Sequence, residues 1–371
     1  MKSNNLNIAL VHDWLTGMRG GEKVLEVLCE LFPDATLFTL VHKKNSVSQK
    51  IEKMKIVTSF LQNLPKSQIK YQYYLPIMPL AIEKLNLKNF DIIISSSHAV
   101  AKGVIKRNDA VHICYCHTPM RYIWDQYENY FGRERAGFAV RTAMKFVRKY
   151  LQNWDVESSN RVDHFIANSK NVQSRIKNIY NRESYVIYPP VDTEKFKVSE
   201  KNGDYFLVVS ALVPYKRIDI AIEAFNELNE KLIIVGIGNE MEKLKAIAGK
   251  NIEFHGWVDD HKLSEYYENC KALIFPGEED FGIVPLEAMA TGKPVIAYAA
   301  GGALETVIES NELKTGVFFY KQNKKSLIEA IERFKAENFV PEKIRAHAVS
   351  FDRSIFKERI ERYIKEILET I

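Results

Sequence analysis

A chain of 371 residues, 46% of them hydrophobic and 27% charged, is too long for one ordinary hydrophobic core, so two domains are expected. Its 17 glycines and 12 prolines are too few for a fibrous or disordered protein, and no run of 18 apolar residues predicts a membrane-spanning helix. The net charge of +5 divides unequally, with +11 on residues 1–190 and −6 on residues 191–371, so anionic partners should meet the first half.

The four cysteines are expected to be free thiols. Cys29, Cys114, Cys116 and Cys270 belong to a chain whose first residues lack the apolar core of a signal peptide, so we expect a cytoplasmic protein without disulfides. Cys114 and Cys116 alternate along an apolar run and therefore share one face of a strand. Core packing is favoured for this pair, because a metal site would need more ligands nearby.

The first half of the chain repeats a unit of strand, loop and helix. Residues 7–11 predict a buried strand, and a glycine-bearing loop and an amphipathic helix follow it. The same alternation returns around residues 90–103, 110–119 and 162–180, where Asn168 and Ser169 are expected to cap a helix. Such units predict a mostly parallel sheet with helices on both faces.

The series begins again after Pro189 and Pro190, which lack amide donors and mark a linker. We therefore predict two doubly wound, Rossmann-like α/β domains, residues 1–188 and 189–353, that face each other across a cleft. A long amphipathic helix of about residues 354–371 ends the chain. Ligands of open parallel sheets bind beyond the carboxyl ends of the strands, so loops there should line the cleft. The strand-like runs of the second half are YFLVV, KLIIV, NIEFHG, KALIF, KPVIAYA and TGVFFY.

One loop and helix start in the second half, GEEDFGIVPLEAMATG, suits a diphosphate. The amides of Ile283 and Val284 lie at the expected helix start, where the positive dipole end favours phosphate, and Gly282 lets a ligand approach the backbone. Glu279 is expected on the loop, and Glu287 in the first helical turn, where it can accept hydrogen bonds from a diol. The alternative is that Glu279 is a solvated loop acid and Glu287 only complements the helix dipole.

Two cations precede a helix in the stretch ALVPYKRIDIAIEAF. Lys216 and Arg217 follow a predicted strand, where fixed cations would stabilise charge that develops on a leaving diphosphate. The alternative is a solvated pair of surface side chains.

Loops of the first half offer further candidates. Gly20 and Gly21 precede a helix, so their amides could face a diphosphate from the first domain, although an ordinary helix-start turn is the alternative. No stretch completes the G-x-G-x-x-G dinucleotide fingerprint in the required place. His117 follows a strand, where it can hydrogen-bond a sugar hydroxyl, with a structural role as the alternative. A structural role is expected for His12, His98 and His112.

Two segments of the basic half interleave aromatic residues with Lys and Arg. FLQNLPKSQIKYQYYLPIMPLAIEKL and FGRERAGFAVRTAMKFVRKYLQNW suit shallow contact with an anionic bilayer, and core helices with a basic outer face are the equal alternative. Nucleic acid is not an expected partner, because no recognised binding module accompanies the charge. The residues assigned to the bilayer are Phe138, Arg141, Met144, Lys145, Phe146, Val147, Arg148, Lys149, Tyr150 and Trp154.

The stretch EEDFGIVPLEAMATGKPVIA resembles the E-x7-E signature of the retaining glycosyltransferases of family four, which have the two-domain GT-B fold. The family's other blocks occur in its order and cover most of the chain. The GT-B fold implies that the last helix packs back toward the first domain. The matching blocks are ALVHDWLTGMRGGEKVLEVL, CHTPMRYIWD, FIANSKNVQSRIKNIYNRESYVIYPPVDTEKF, VSALVPYKRIDIAIEAFNEL and VGIGNE.

The resemblance implies roles for individual residues. Glu279 would contact the transferred sugar, Glu287 the nucleotide ribose and Lys216 the β-phosphate, with His117 at the donor sugar. Family members commonly carry an arginine five or six residues before that lysine, where this chain has a serine and an alanine, so the second cation is assigned to Arg217. The catalytic assignments are His117, Glu279 and Lys216, and the donor-binding assignments are Gly20, Gly21, Arg217, Phe281, Gly282, Ile283, Val284 and Glu287.

The activity implied is transfer of a hexose from a nucleotide diphosphate sugar to a hydroxyl of a glycan or polyprenyl-linked acceptor, with retention of configuration. The stretches HDWLTGMRGGEKV and SALVPYKR resemble bacterial mannosyltransferases of polysaccharide and O-antigen assembly, which implies GDP-mannose as the donor. No cofactor or obligatory metal is implied, and the enzyme is expected in the cytoplasm, peripheral at the inner face of the cell membrane. The alternatives are a nucleotide-sugar epimerase of GT-B fold and a non-catalytic nucleotide-sugar-binding protein.

Overall fold

The computed structural model describes residues 6–127, 138–199, 201, 203–310 and 312–369, without the side chains of residues 138–141 and 143. Contacts divide the chain into two compact units. Unit 1 comprises Met1–Pro189 and Lys357–Ile371, and unit 2 comprises Pro190–Phe356. Of the proline pair expected to mark the linker, Pro189 therefore ends the first segment of unit 1 and Pro190 begins unit 2.

Unit 1 is built on a parallel sheet of buried, largely apolar strands. In the described part of the chain the strands are β1 (Ile8–His12), β2 (Thr36–Thr39), β3 (Lys55–Thr58), β4 (Ile92–Ser97), β5 (Val111–Cys116), β6 (His164–Ala167) and β7 (Ser184–Val186). Their order is β3-β2-β1-β4-β5-β6-β7. The parallel sheet is confirmed, but β2, β3 and β7 were missed, because three or four residues are too short for a pattern to show.

Helices connect the strands of unit 1. They are α1 (Gly20–Leu31), α2 (Gln49–Glu52), α3 (Ser67–Lys70), α4 (Met78–Glu83), α5 (Phe138–Ser159) and α6 (Lys170–Tyr180) among the described residues. The expected cap of α6 is confirmed at Ser169, whose Oγ accepts a hydrogen bond of 3.0 Å from the backbone N–H of Val172. Short 3-10 turns cover Phe60–Asn63, Tyr71–Ile77 and Ala101–Gly103.

A buried ion pair ties the segment after β4 to α5. Nζ of Lys102, a residue that is only 1% exposed, lies 2.7 Å from Oδ1 of Asp155. Oδ2 of Asp155 accepts hydrogen bonds from Trp124 Nε1 at 2.8 Å and from the hydroxyl of Tyr180 at 2.9 Å. One oxygen of this buried carboxylate therefore faces a cation and the other accepts two hydrogen bonds, and such compensation is the condition under which a buried charge is tolerated.

Unit 2 is built on a second parallel sheet, and all six predicted strands are confirmed. They are β8 (Tyr205–Val209), β9 (Lys231–Val235), β10 (Ile252–Gly256), β11 (Leu273–Phe275), β12 (Val295–Tyr298) and β13 (Gly316–Phe319). The described strands lie in the order β10-β9-β8-β11-β12-β13. The helices between and after them are α7 (Ile218–Glu227), α8 (Met241–Ile247), α9 (Asp260–Asn269), α10 (Ile283–Ala290), α11 (Ala303–Thr306), α12 (Lys324–Lys335) and α13 (Pro341–Val349).

The last helix, α14 (Arg353–Glu369), confirms the predicted amphipathic tail. From Lys357 onward it belongs to unit 1, where the ring of Tyr363 stacks on that of Tyr185 with centroids 4.8 Å apart. In unit 2, residues just before α14 pair with the segment after the proline pair: the N–H of Val191 donates to the carbonyl of Phe351 at 3.1 Å. The four cysteines are free and buried, as expected.

Candidate functional site

The strand order reverses between β1 and β4 in unit 1 and between β8 and β11 in unit 2. At such a point the two connections leave in opposite directions, and the crevice between them at the carboxyl ends of the strands is where open parallel sheets bind ligands. The predicted site residues follow these strands or a neighbour. Gly20 and Gly21 follow β1, His117 follows β5, Lys216 and Arg217 follow β8, and the residues from Glu279 to Glu287 follow β11.

The central contact of the unit 2 site joins Lys216 and Glu279. Nζ of Lys216 donates to Oε1 of Glu279, and the two side chains are 15% and 22% exposed. Gly277 allows their loops to approach, because a Cβ added there would lie 2.9 Å from Cα of Lys216. The fold thus holds one cation and one carboxylate together at the reversal point, although 63 positions separate them in the chain.

Helix α10 begins at Ile283, four residues after Glu279 in the chain. Its N-cap is Gly282, with φ of 91°, a conformation that favours glycine, and no side chain caps the helix. The amides of Ile283 and Val284 are among the first N–H groups of α10, which have no partner within a helix and point toward the space in front of it. That space suits a phosphate group.

A loop after β12 supports the backbone around Glu279. The N–H of Gly302 donates to the carbonyl of Glu279 at 2.8 Å, and a Cβ on Gly302 would overlap the main chain of Phe281. Phe281 itself is 3% exposed and packs its ring on Phe351 with centroids 5.9 Å apart. Its assignment to donor binding is therefore restricted to main-chain atoms.

Glu287 lies deeper than expected. The prediction that it occupies the first turn of its helix is wrong, because α10 starts at Ile283 and no acidic residue lies in that turn. Glu287 is 7% exposed, and Oε2 accepts a hydrogen bond of 3.0 Å from the hydroxyl of the buried Tyr267. Burial and the charge of Glu287 raise the pKa of Tyr267 well above its usual range, so the phenol stays a donor to this carboxylate.

Arg217 lies apart from the ion pair. Its guanidinium donates to both carboxylate oxygens of Asp219 at 3.1–3.2 Å and to the side-chain oxygen of Gln322 at 3.2 Å. Its own backbone is left-handed, with φ of 53°. The structure therefore brings Lys216, and not Arg217, to Glu279, and the role of Arg217 as a second phosphate cation stays a prediction.

In unit 1, Asp13 organises the segment that follows β4. Its fully buried carboxylate accepts hydrogen bonds from four consecutive backbone N–H groups, at 2.8 and 3.0 Å for Oδ2 and at 2.7 Å twice for Oδ1. Nδ1 of His98 lies 3.2 Å from Oδ2 of the same carboxylate. One acidic side chain thus fixes the position of His98. The four N–H groups belong to His98, Ala99, Val100 and Ala101.

His117 lies in a polar cluster beneath the start of α1. Its Nε2 is 2.8 Å from the hydroxyl of Ser96, which also lies 3.1 Å from Nδ1 of His12. A Cβ on Gly21 would come within 3.5 Å of the His12 ring and 3.6 Å of the His117 ring. The second of the two predicted glycines is therefore next to the predicted histidine. Glu22, in the first turn of α1, places Oε1 3.6 Å from Nε2 of His12.

The charge states of this cluster follow from burial. Burial lowers the pKa of His117 well below its ordinary value, and repulsion from His98 and His12 adds to this. Burial also lowers the pKa of His98, against the attraction of Asp13. Burial acts to raise the pKa of Glu22, but its contacts with His12 and the neighbouring histidines lower that pKa overall. At neutral pH the cluster therefore combines neutral rings at His98 and His117 with an ionised carboxylate at Glu22.

Sequence reasoning missed Asp13, Glu22, Ser96 and Tyr267. Position along the chain was the available signal for two of them, because Asp13 directly follows β1 and Glu22 directly follows the predicted glycine pair. Ser96 and Tyr267 carry no such signal. Among the described residues, no group of three or more His, Cys, Asp or Glu side chains is arranged to hold a metal ion.

Two family models match successive parts of the chain. Residues 19–195 match Glycosyltransferase Family 4, and residues 191–350 match Glycosyl transferases group 1. Together the two models account for nearly all of the chain between the first strand and the last helix.

Curated relatives are 25–32% identical to this chain over the segments that align. An uncharacterized glycosyltransferase of Methanocaldococcus jannaschii is 32% identical over 46% of this chain and 48% of its own length. An alpha-1,3/1,6-mannosyltransferase of Saccharomyces cerevisiae is 25% identical over 64% of this chain and 55% of its own length. An O-antigen chain mannosyltransferase of Salmonella typhimurium is 30% identical over 38% and 43%. The chain spans no more than about half the length of these relatives.

Two solved structures share the fold over the whole chain. Sucrose-phosphate synthase from Thermosynechococcus elongatus superposes with a TM-score of 0.74 at 16% identity, and covers 99% of this chain and 100% of its own. The Anabaena protein HepE in complex with UDP-glucose superposes with a TM-score of 0.71 at 18% identity, over 97% and 99%. At these identities the likeness concerns the fold alone.

Proposed function

The chain is a glycosyltransferase of the family 4 and group 1 type with the GT-B fold, and from this we propose that it transfers a hexose from a nucleotide diphosphate sugar to a hydroxyl of a glycan or lipid-linked saccharide. The observation that carries the proposal is the contact between Lys216 and Glu279 at the strand-order reversal of unit 2. A cation, a carboxylate and the start of α10 there provide groups for a diphosphate and for the sugar attached to it.

Donor binding would exchange one partner of Lys216 for another. In the ligand-free protein, the carboxylate of Glu279 compensates the ammonium charge. A diphosphate in front of α10 would draw Lys216 to its β-phosphate, and Glu279 would then accept hydrogen bonds from hydroxyls of the transferred sugar. Charge that develops on the leaving diphosphate would meet a fixed cation and the amides of Ile283 and Val284, the arrangement that lowers a barrier most in a dry site.

The rest of the donor is assigned to neighbouring side chains. Glu287, held by Tyr267, would accept hydrogen bonds from the ribose diol. Retention of configuration would follow a front-face route, in which the leaving phosphate oxygen accepts the proton of the acceptor hydroxyl as the new glycosidic bond forms and the bond to the phosphate breaks. No covalent nucleophile and no metal are assigned a step.

GDP-mannose is the proposed donor, and polysaccharide or O-antigen assembly is the proposed setting. The support is the activity of two relatives, which are mannosyltransferases at 25% and 30% identity. A screen of nucleotide sugars by thermal shift tests the choice, because a ligand that binds only the folded state raises its melting temperature. A larger shift with a UDP-sugar than with GDP-mannose would overturn it.

Substitutions at the ion pair test the transfer function directly. Lys216→Ala should lower kcat by about 100- to 1,000-fold, as expected for loss of one group that stabilises developing charge. Glu279→Ala should suppress turnover and leave the affinity for the free nucleotide largely intact, whereas Glu287→Ala should weaken binding of the free nucleotide. Glu278→Ala, at an exposed acid on the same loop, is the matched control. Normal turnover of Glu279→Ala would remove that residue from the sugar site.

Two other functions remain as outcomes of the same assay. Incubation of the donor without an acceptor would yield an epimerised nucleotide sugar if the protein were an epimerase. Donor binding without release of nucleotide in the presence of glycan acceptors would indicate a non-catalytic binding protein. Hexosyl transfer to an acceptor excludes both.

We also propose that unit 1 meets an anionic membrane surface. Ile69, Tyr73 and Phe146 are 73–77% exposed, and exposed lysines accompany them, such as Lys70 and Lys149. Exposed aromatic rings among cations suit the boundary between headgroups and acyl chains. No helix in the described ranges has the length and apolar character to cross a bilayer. A peripheral position at the inner face of the cell membrane is therefore proposed.

The structure narrows the set of residues assigned to this surface. Met144 and Trp154 are buried and belong to the core, as the alternative interpretation had it. Phe138 and Arg141 have side chains outside the described residues. Phe146 and Tyr150 are exposed and stay candidates.

Vesicle flotation tests the proposed surface. Binding to vesicles that contain phosphatidylglycerol, and not to pure phosphatidylcholine, is expected, with weaker binding at higher salt. The double variant Tyr73→Ser/Phe146→Ser should bind less. Trp257→Ser, which removes a comparably exposed ring from the acidic unit 2, should bind as the parent protein does. Equal loss in both variants would contradict the assignment.

A further inference from the structure

A groove on unit 1 presents two cations and no acid. It lies between the segments that follow β2 and β3 and has a volume of about 260 Å³. Lys43 and Lys66 line this groove, and both side chains are exposed. Within the described part of the chain, neither ammonium forms an ion pair, and none of the residues that line the groove is acidic. Two uncompensated positive charges at one depression favour an anionic ligand.

The walls of this groove are fixed by hydrogen bonds. Oε1 of Gln62 accepts the N–H of His42 at 2.8 Å, and its Nε2 donates to the carbonyl of the same residue at 3.1 Å. The N–H of Lys43 donates to the carbonyl of Leu15 at 2.8 Å, which ties this wall to the segment after β1. Oγ of Ser67, a residue that is 2% exposed, donates to the carbonyl of Gln62 at 3.0 Å. The groove therefore exists before a ligand binds, which reduces the ordering cost of binding.

The backbone of Lys66 is left-handed, with φ of 55° and ψ of 19°. Its carbonyl accepts the N–H groups of Ile69 at 3.0 Å and of Lys70 at 2.7 Å, so the surrounding turn imposes this conformation. Asparagine tolerates such a backbone, as at Asn45 and Asn181, but lysine does so at a cost in energy. Strain of this kind concentrates at binding sites, so it favours a role for the Lys66 ammonium.

Exposed apolar side chains continue from the groove. Ile69 lines the groove and is 73% exposed, and Tyr73 and Leu80 follow it with 76% and 46% of their surfaces exposed. The same segment already buries a second set of apolar side chains in the core of unit 1, so core packing does not account for the exposed set. A contiguous exposed apolar surface marks an interaction site. The buried set is Tyr71, Leu75, Met78, Ala81 and Ile82.

We propose that the groove of Lys43 and Lys66 binds the diphosphate of a polyprenyl-linked acceptor, and that Ile69 and Tyr73 contact its first isoprene units. Cations next to an apolar strip match the two parts of such a lipid. The groove follows β2, the neighbour of β1, so it lies beside the crevice where the strand order of unit 1 reverses. The choice of an acceptor as ligand rests on the proposed function. A phospholipid headgroup offers the same phosphate chemistry, and the experiments below distinguish the two sources.

Calorimetry with farnesyl diphosphate tests the groove. The full-length chain is used with Lys216→Ala, so that the diphosphate site proposed for unit 2 does not contribute. Lys43→Ser/Lys66→Ser should weaken binding of farnesyl diphosphate by about 30-fold, as expected for two lysines near an anionic group. Lys53→Ser/Lys88→Ser, at exposed lysines outside the groove, is the control of equal net charge and should change the affinity by less than about threefold. Equal weakening in both variants would overturn the proposal.

Two further variants separate the charge from the fold and from the apolar contact. Lys66→Gly removes the ammonium and suits the left-handed backbone, so a loss of affinity in this variant is not due to unfolding. Ile69→Ser/Tyr73→Ser should weaken binding of farnesyl diphosphate by about tenfold and leave the affinity for inorganic diphosphate unchanged. Unchanged affinity of Lys66→Gly for farnesyl diphosphate, or equal affinities of Ile69→Ser/Tyr73→Ser and the parent protein, would contradict the proposal.

Vesicle binding and transfer assays identify the source of the diphosphate. If Lys43→Ser/Lys66→Ser lost binding to phosphatidylglycerol vesicles but kept its affinity for farnesyl diphosphate, the groove would bind phospholipid headgroups and the proposal would be wrong. With a polyprenyl-diphosphate-linked acceptor, this variant should raise the acceptor KM by about 30-fold and leave the donor KM unchanged. Binding as expected without any hexosyl transfer would count against the proposed function alone. Transfer by a protein that does not bind farnesyl diphosphate would overturn the groove alone.

Discussion

Replacing Asp13 by asparagine tests how the segment after β4 is held. Oδ1 accepts two backbone N–H groups at 2.7 Å each, and Oδ2 accepts two more at 2.8 and 3.0 Å. In either orientation, the asparagine would turn its own N–H groups toward two of these donors. Hydrogen bonds to a charged group contribute about 1.5–3 kcal/mol each, so the loss of two predicts a decrease of about 3–6 kcal/mol in the free energy of unfolding of unit 1.

Hydrogen exchange in rising urea measures this change, because it reports the two units separately. Peptides from β1 and β4 should lose protection, while peptides from unit 2 keep theirs. Asp34→Asn, at an exposed aspartate of the same unit, is the matched control and should change stability by less than about 0.5 kcal/mol. A decrease below about 1 kcal/mol for Asp13→Asn would refute the reasoning, since it would mean that the four amides do not depend on the carboxylate.

Three further predictions concern stability and loop geometry. Burial lowers the pKa of His112 to about 4, so between pH 7 and pH 5 the unfolded chain binds a proton that the folded chain does not. The free energy of unfolding of unit 1 should therefore decrease by about 2 kcal/mol over this range because of His112. In urea titrations at several pH values, His112→Gln should remove that part of the pH dependence. Lys102→Met should lower the free energy of unfolding by about 3–5 kcal/mol because it leaves Asp155 without its cation, and thermal unfolding should show recovery when Asp155→Asn is added. Gly302→Ala should lower turnover by about 100-fold, because its Cβ would displace the main chain of Phe281 in the site loop; unchanged kinetics would show that the loop does not position the site.

The strands of unit 2 could be predicted because each is a run of apolar residues bounded by glycine, proline or charge. The start of α10 could be predicted for a similar reason, since Gly282 and Pro285 restrict the backbone locally. Glu287 was assigned to the first helical turn but lies just beyond it, and its partner Tyr267 is 20 positions earlier in the chain. A local pattern that fixes the start of a helix does not show which side chain of another helix packs against it.

The polar network of unit 1 could not be predicted in this way. His12 and Ser96 are 84 positions apart, and Asp13 and the N–H of His98 are 85 apart. They meet only because β1 pairs with β4 in register, with His12 beside Ser96. Periodicity within one segment carries no information about which strands are neighbours. A structural role expected for a lone histidine therefore says nothing about the partners that surround it.

The discontinuous path of unit 1 has a consequence for synthesis on the ribosome. All seven of its described strands emerge before unit 2 begins, yet Tyr185 lacks its stacking partner until Tyr363 has been made. In unit 2, the N–H of Val191 also lacks its carbonyl acceptor until residue 351 has been synthesised. A nascent chain therefore carries an unfinished first unit throughout translation of the second. Translation of a transcript that ends before α14 would release a protein in which the ring of Tyr185 lacks its stacking partner. We expect chaperones and proteases to recognise such a protein.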